Sequence, residues 1–232
     1  GDLGNQGIHQ MDIARWFLGE SQLAPAVFSV GARLGYIDDG QTPNTQFVFQ
    51  DYKKAPLIFE VRGLPKAHQF RTDNEWNRNM DRFHGASIGV IIHCEGGLVR
   101  VPDYNSAVAF DTAGKEIKSW SGSDDHYENF IKAVRSRKHT DLTADILEGH
   151  ISSALCHTGN VSIRLGQHAA PGQIREALRN EPEAVETFER MAAHLEANGI
   201  DITRDQLALG PVLTMSPSKE TFKRNDAANQ LH

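Results

Sequence analysis

Residues 87–111, SIGVIIHCEGGLVRVPDYNSAVAFD, decide the fold class. The segments 87–94, 97–101 and 106–111 are rich in β-forming residues. Residues 95–97 (EGG) suit a tight hairpin turn between the first two segments. Consecutive strands that are joined by short turns pair in antiparallel fashion. The stretch therefore predicts an antiparallel sheet.

The sheet is predicted to begin well before this stretch. Apolar and smaller or polar residues alternate from residue 28 to residue 36, and the segments 45–50 (TQFVFQ) and 55–62 (APLIFEVR) are rich in β-formers. Residues 63–84 show weak periodicity and many polar and aromatic residues, which predicts a long loop.

After Ser121 the apolar period returns to that of a helix, and we predict helices over 124–137, 144–165, 172–180 and 182–198. Strands at about 26–111 that are followed by helices at about 124–198 predict an α+β fold. We expect an open, mostly antiparallel sheet with helices packed on one face. The whole chain, 1–232, is predicted to be one domain with a helix at 5–18 and an irregular tail over 205–232, apart from a short strand candidate at 211–215.

Composition excludes several classes of protein. The 24 Lys and Arg residues against 30 Asp and Glu residues give a net charge of −6, which argues against a nucleic-acid-binding face. No apolar stretch approaches the ~20 residues of a membrane span. Two cysteines, Cys94 and Cys156, form no disulfide framework and do not identify the compartment. The chain opens at Gly1 without a methionine, so we expect a fragment of a longer protein.

The predicted N-terminal helix carries a row of polar groups. Asn5, His9, Asp12 and Trp16 lie at i, i+4, i+7 and i+11, on one face of a helix. An imidazole beside a carboxylate can exchange a proton near neutral pH, which predicts an acid–base site. The alternative is an ordinary His9–Asp12 pair on a solvated helix face.

Three stretches of the chain resemble the Gfo/Idh/MocA oxidoreductases, the relatives of glucose–fructose oxidoreductase and inositol dehydrogenase. They are GDLGNQGIHQMDIARWFLG at 1–19, HYENFIKAVRSRKHTDLTADILEGHISSALCHTGNVSIRLG at 126–166 and GPVLTMSPSKETFKRNDAANQL at 210–231. In the family a Gly-rich segment, an Asp, a His four residues later and an Asp three residues after that open the substrate domain. The His falls on His9 and the later Asp on Asp12, whereas Asn5 replaces the first Asp.

The resemblance implies a two-domain enzyme of which this chain is the C-terminal substrate domain. A Rossmann domain that binds NAD or NADP, with the family's catalytic Lys, would precede it. This fits the sequence, which contains no GxGxxG after a strand and no P-loop. The resemblance implies that His9 moves the proton of the substrate hydroxyl and that Asn5, Gln6 and Asp12 contact substrate. Asn5 can donate and accept hydrogen bonds but cannot take up a proton.

Two further groups of residues are weaker candidates. Arg71 and Trp76, in the loop 63–84, suit polyol recognition through hydrogen bonds and ring stacking, although a solvated loop is the alternative. His150 and His157 lie on one face of a helix. A metal site would require a third ligand there, so we predict structural histidines that pack against the sheet, and no metal.

The sequence thus predicts the substrate-binding half of an NAD(P)-dependent oxidoreductase acting on the CH–OH group of a sugar or polyol, inactive by itself. Two alternatives stay open: a non-catalytic carbohydrate-binding or assembly module, and an enzyme that uses transient oxidation. Apolar residues on both faces of the predicted strands, such as Phe47, Phe49, Ile58 and Val90, predict a homodimer or tetramer formed through the sheet.

Overall fold

The computed structural model describes residues 1–204 and 207–231, which form two antiparallel sheets, seven α-helices and three short 3-10 helices. The helices are α1 (Asp2–Asn5), α2 (Gly7–Leu18), α3 (His126–Ser136), α4 (Ile146–Arg164), α5 (Pro171–Leu178), α6 (Pro182–Ala197) and α7 (Asp226–Leu231). The strands are β1 (Ala26–Ala32), β2 (Thr45–Gln50), β3 (Leu57–Arg62), β4 (Val90–Cys94), β5 (Gly97–Val101), β6 (Ser106–Asp111), β7 (Glu116–Ser121), β8 (Gln167–Ala169), β9 (Leu207–Leu209), β10 (Leu213–Ser216) and β11 (Thr221–Phe222).

The larger sheet has seven strands with β1 at its centre. The main order is β11-β10-β1-β2-β3. β10 pairs with the first residues of β1, and β9 pairs with β1 further along, at Val30 and Gly31. The other edge of β9 pairs with β8. All these pairs are antiparallel, as the sequence predicts.

The smaller sheet is the meander β4-β5-β6-β7, and it contains the stretch from which the fold class was predicted. Gly97 begins β5 with φ +139°, and a Cβ atom there would lie 1.9 Å from the carbonyl oxygen of Phe110. Only glycine fits this backbone and this close approach. The predicted hairpin at 95–97 is confirmed. β7 was not predicted, and it is exposed along its whole length.

Helices cover both faces of the larger sheet. Val48 of β2 lies in an apolar core with α2 and α4, whereas its neighbours Phe47 and Phe49 lie in a second core with α5 and α6. Neighbouring residues of a strand point to opposite faces, so the two cores lie on opposite sides of the sheet. The α+β class with open antiparallel sheets is confirmed, but the placement of helices on one face is wrong in this detail. Three consecutive apolar residues in β2 require cover on both sides.

α4 packs directly on the centre of the sheet. A Cβ atom at Gly159 would lie 2.6 Å from Val48, so the glycine permits the close approach of helix and strand. The buried Gln50 donates to the carbonyl oxygen of Leu155 at 2.7 Å and thereby joins β2 to α4. Burial raises the pKa of the Cys156 thiol, which lies in the same core, to about 12.

α6 covers the opposite face as the sequence predicts from its spacing. Pro182 lies in the first turn and Gly199, with φ +74°, follows the end of the helix. Phe188, Met191 and Leu195 of the predicted stripe are fully buried.

Several boundaries and short elements differ from the prediction. The predicted helix at 5–18 is two helices, α1 and α2, with Gln6 between them in helical conformation. The tail predicted as irregular contains β9, β10, β11 and α7, while residues 205, 206 and 232 lie outside the described part of the chain. The predicted strand at 211–215 is β10. Strands of two to four residues are too short to show a period.

The surface that was expected to mediate assembly is covered. Phe47 and Phe49 are buried under α6, and Ile58 packs against the same core. Exposed apolar side chains occur instead at several other places, among them β7 and α3, where Trp120 is 46% and Phe130 is 59% exposed. In the described part of the chain, no helix combines the length and apolar character that crossing a membrane requires.

The cover of the second face by α6 can be tested by unfolding. Phe188→Ala should lower the free energy of unfolding by about 3–5 kcal/mol, because it opens a cavity in a fully packed core. Phe130→Ala, the same change on exposed α3, should cost less than about 1 kcal/mol. Urea unfolding of both variants decides: equal losses would contradict the burial of this sheet face.

Candidate functional site

The polar row of the N-terminal helix divides into two groups in the structure. Asn5, His9 and Trp16 are exposed, whereas the side chain of Asp12 is only 25% exposed. The row faces partly toward solvent and partly toward α4, because α2 packs along that helix through the core that contains Met11 and Leu155.

Asp12 belongs to a cluster of charged groups between α2 and α4. Its Oδ1 atom accepts a hydrogen bond from Ser152 Oγ at 2.5 Å and one from Arg15 Nη2 at 3.0 Å. Arg15 is only 2% exposed; it also pairs with Glu148 and donates to the carbonyl oxygen of Glu20 at 2.9 Å. Burial works to lower the pKa of Arg15, but the hydrogen bonds to Glu148 and Asp12 outweigh it and raise that pKa.

His9 lies on the other side of this row, against Tyr104 in the connection between β5 and β6. The two ring centroids are 5.5 Å apart with the rings edge to face. Gln6 Nε2 donates to Tyr104 Oη at 2.5 Å and to Gln10 Oε1 at 3.0 Å. No hydrogen bond or ion pair joins the His9 imidazole to another described residue. The exposed His9 side chain is therefore in contact with Tyr104 through its ring and has no polar partner among the described residues.

A small cleft extends from Tyr104 between α2 and the smaller sheet. Its volume is about 170 Å³, below the several hundred Å³ that usually enclose a small ligand. Its lining residues are Gln10, Ile13, Ile88, Gly89, Val101, Pro102, Asp103 and Tyr104. The cleft is mostly apolar and too small to enclose a sugar-sized molecule.

Arg71 and Trp76 do not join His9. Trp76 packs against the core on the α6 side of the larger sheet, donates to the carbonyl oxygen of Gly63 at 3.2 Å and meets the ring of Tyr36 edge to face. The Arg71 guanidinium lies 6.0 Å from the Trp76 ring. α2 packs on the opposite face, so the sheet separates the loop pair from the N-terminal row.

Two features were not predicted from the sequence. Nothing in the sequence indicated Tyr104, because it lies in a turn 95 positions from His9.

His150 and His157 were predicted to pack against the sheet, but both are exposed on the outer side of α4. His150 Nε2 lies 2.7 Å from a carboxylate oxygen of Glu220. Within residues 1–204 and 207–231, no three His, Cys, Asp or Glu side chains form a group that could hold a metal ion.

Comparison with known proteins gives little. No family model and no curated protein match the chain. A solved structure from Klebsiella pneumoniae, described as a "putative oxidoreductase", matches with 14% identity and a TM-score of 0.43, over 65% of this chain and 44% of that one. One from Bacteroides fragilis NCTC 9343 with the same description matches with 16% identity and a TM-score of 0.38, over 69% and 49%. The chain spans less than half the length of either protein, and similarity this low establishes no family and no activity.

The division of the polar row can be tested by stability. Asp12→Ala should lower the free energy of unfolding by about 2–3 kcal/mol, because it removes a carboxylate partner from the buried Arg15. His9→Ala should change it by less than about 1 kcal/mol, because the ring is exposed. Urea unfolding at pH 7 measures both variants, and a larger loss for His9→Ala would show that this histidine is the structural member of the row.

Proposed function

We propose that this chain is the substrate-binding half of an NAD- or NADP-dependent oxidoreductase acting on the CH–OH group of a sugar, a polyol or a derivative of one. The observation that carries the proposal is the state of His9. Its imidazole is exposed and unpaired within the described residues, yet it is held against Tyr104. An imidazole in that state can take a proton from a substrate hydroxyl near neutral pH.

The neighbouring residues suit the recognition of hydroxyl groups. Asn5 is exposed one turn before His9, and its amide can donate and accept hydrogen bonds at once. Gln6 fixes the Tyr104 hydroxyl through its amide nitrogen. Asp12 acts on this site as a positioning residue, because its carboxylate binds Arg15 and Ser152 and thereby sets the rotation of α2. Arg71 and Trp76 are left out of the proposed site because they lie across the larger sheet.

The described residues do not fit a dinucleotide. Such cofactors bind at the carboxyl ends of parallel strands, where a Gly-rich loop leads into a helix. Every strand pair among the described residues is antiparallel, and the sequence contains no GxGxxG. The proposal therefore assigns NAD or NADP to another domain, and this chain supplies substrate contacts and the proton acceptor.

Self-association through a sheet also stays a proposal, now transferred to the smaller sheet. β7 is its edge strand and exposes Ile117 and Trp120. An exposed edge strand with apolar side chains favours pairing with a second copy. Light scattering over a range of concentrations tests this, and a monomer at all of them would remove it.

The role of His9 can be tested in the enzyme assembled with its nucleotide-binding domain. His9→Ala should lower turnover of a polyol substrate by roughly 10²–10⁴, the usual contribution of a positioned acid–base group. His126→Ala is the matched control, because His126 is also exposed and lies against a tyrosine ring, that of Tyr127. Asn5→Asp should move the pH–rate profile to higher pH, because a nearby negative charge favours the protonated imidazole. Turnover of His9→Ala within about threefold of wild type from pH 6 to 9 would contradict the proposal.

A further inference from the structure

A pocket of about 710 Å³ that is open to solvent lies along the outer side of α4, away from the cleft beside Tyr104. We name it the α4 cavity. It is lined by Gln41, Thr42, Pro43, His150, Ser153, Ala154, His157, Asn160, Val161, Ile163, Arg164 and Leu231. Its volume is in the range of small-molecule sites.

One face of α4 supplies most of the polar lining. His150, Ser153, His157, Asn160 and Arg164 are separated by three or four residues and so lie in one row along the helix. The segment 41–43, between β1 and β2, lines the cavity as well, and Leu231 of α7 contributes an apolar side chain. The polar groups thus converge from two separate parts of the chain.

The α4 cavity carries positive charge without carboxylates of its own. None of its twelve lining residues is Asp or Glu. Arg164 is exposed and makes no ion pair with any residue of 1–204 or 207–231. Glu220 reaches this side of α4, but its carboxylate is engaged by His150 at 2.7 Å. An arginine without a protein carboxylate keeps its planar fork of donors available to an outside oxyanion.

The wall next to α1 is closely packed at Thr42. A Cβ atom at Gly1 would overlap the side chain of Thr42, so glycine lets the start of α1 lie against this lining residue. The Cβ position of Gly4 is 4.0 Å from Cε1 of the exposed His157, an ordinary van der Waals distance. α1 thus lies beside both lining residues, and glycine is required only at Gly1.

We propose that the α4 cavity binds a small organic oxyanion, a phosphate ester or carboxylate on a body the size of a sugar. Arg164 and the imidazole of His157 contact the anionic group. The amides of Gln41 and Asn160 and the hydroxyls of Thr42 and Ser153 bind hydroxyl groups of the body. His9 does not line the cavity, so this proposal does not rest on the function proposed above.

Titration calorimetry on the 232-residue chain tests the site with four probes: glucose 6-phosphate, gluconate, glucose and inorganic phosphate. We expect saturable binding of the ester or of gluconate, tighter by about tenfold or more than that of glucose. Comparison of glucose 6-phosphate with gluconate shows whether the site prefers a phosphate or a carboxylate group. Arg164→Ala should weaken that binding by about tenfold or more, and Arg164→Lys by less, because lysine keeps the charge but loses the bidentate fork.

Arg179→Ala is the control variant, because Arg179 is an exposed arginine at the end of α5 that pairs with Glu176. It should leave the affinity unchanged. Four results would overturn the proposal: no saturable binding of either organic anion, equally tight binding of glucose, equally tight binding of inorganic phosphate alone, or equal effects of Arg164→Ala and Arg179→Ala.

Discussion

The buried guanidinium of Arg15 fixes the relation between α2 and α4, and the N-terminal site depends on it. A charge with 2% exposure is stable only when it is paired and hydrogen-bonded, and Asp12, Glu148 and the carbonyl oxygen of Glu20 provide those partners. Because Glu148 lies at the start of α4, these bonds set the rotation of α2 about its own axis. That rotation places Met11 in the core and leaves His9 in solvent.

α4 is the element that both proposed sites share. Its inner side packs on β2 through Gly159 and accepts a hydrogen bond from Gln50, and these two contacts set its position on the sheet. In its N-terminal part, Glu148 pairs with Arg15 and Ser152 donates a hydrogen bond to Asp12. Its outer side presents His157 and Arg164 to the α4 cavity. A single helix therefore contacts the N-terminal row and lines the second proposed site.

The sequence predicted those features that depend on local pattern. The hairpin at 95–97 and the strands beside it follow from β-propensity and turn residues, and the buried side of α6 follows from helical spacing. The consecutive apolar residues Phe47, Val48 and Phe49 also indicate that both faces of β2 are buried. From the sequence alone, these apolar faces were interpreted as a surface for self-association.

The contacts that define the sites could not be predicted in this way. Tyr104 meets a histidine 95 positions earlier in the chain, and Ser152 binds a carboxylate 140 positions earlier. Helical spacing predicted that His9 and Asp12 share one face of a helix. It could not show that Asp12 is engaged by α4, because that depends on how two distant helices pack.

The central claim is that α2 is rotated so that His9 is exposed while the guanidinium of Arg15 is buried. Acylation of histidines by diethyl pyrocarbonate, followed by peptide mass spectrometry, tests it directly. His9 should react at a rate within about threefold of the unfolded chain, whereas His194, whose side chain is 1% exposed, should be protected by about tenfold or more. Protection of His9 equal to that of His194 would contradict the account.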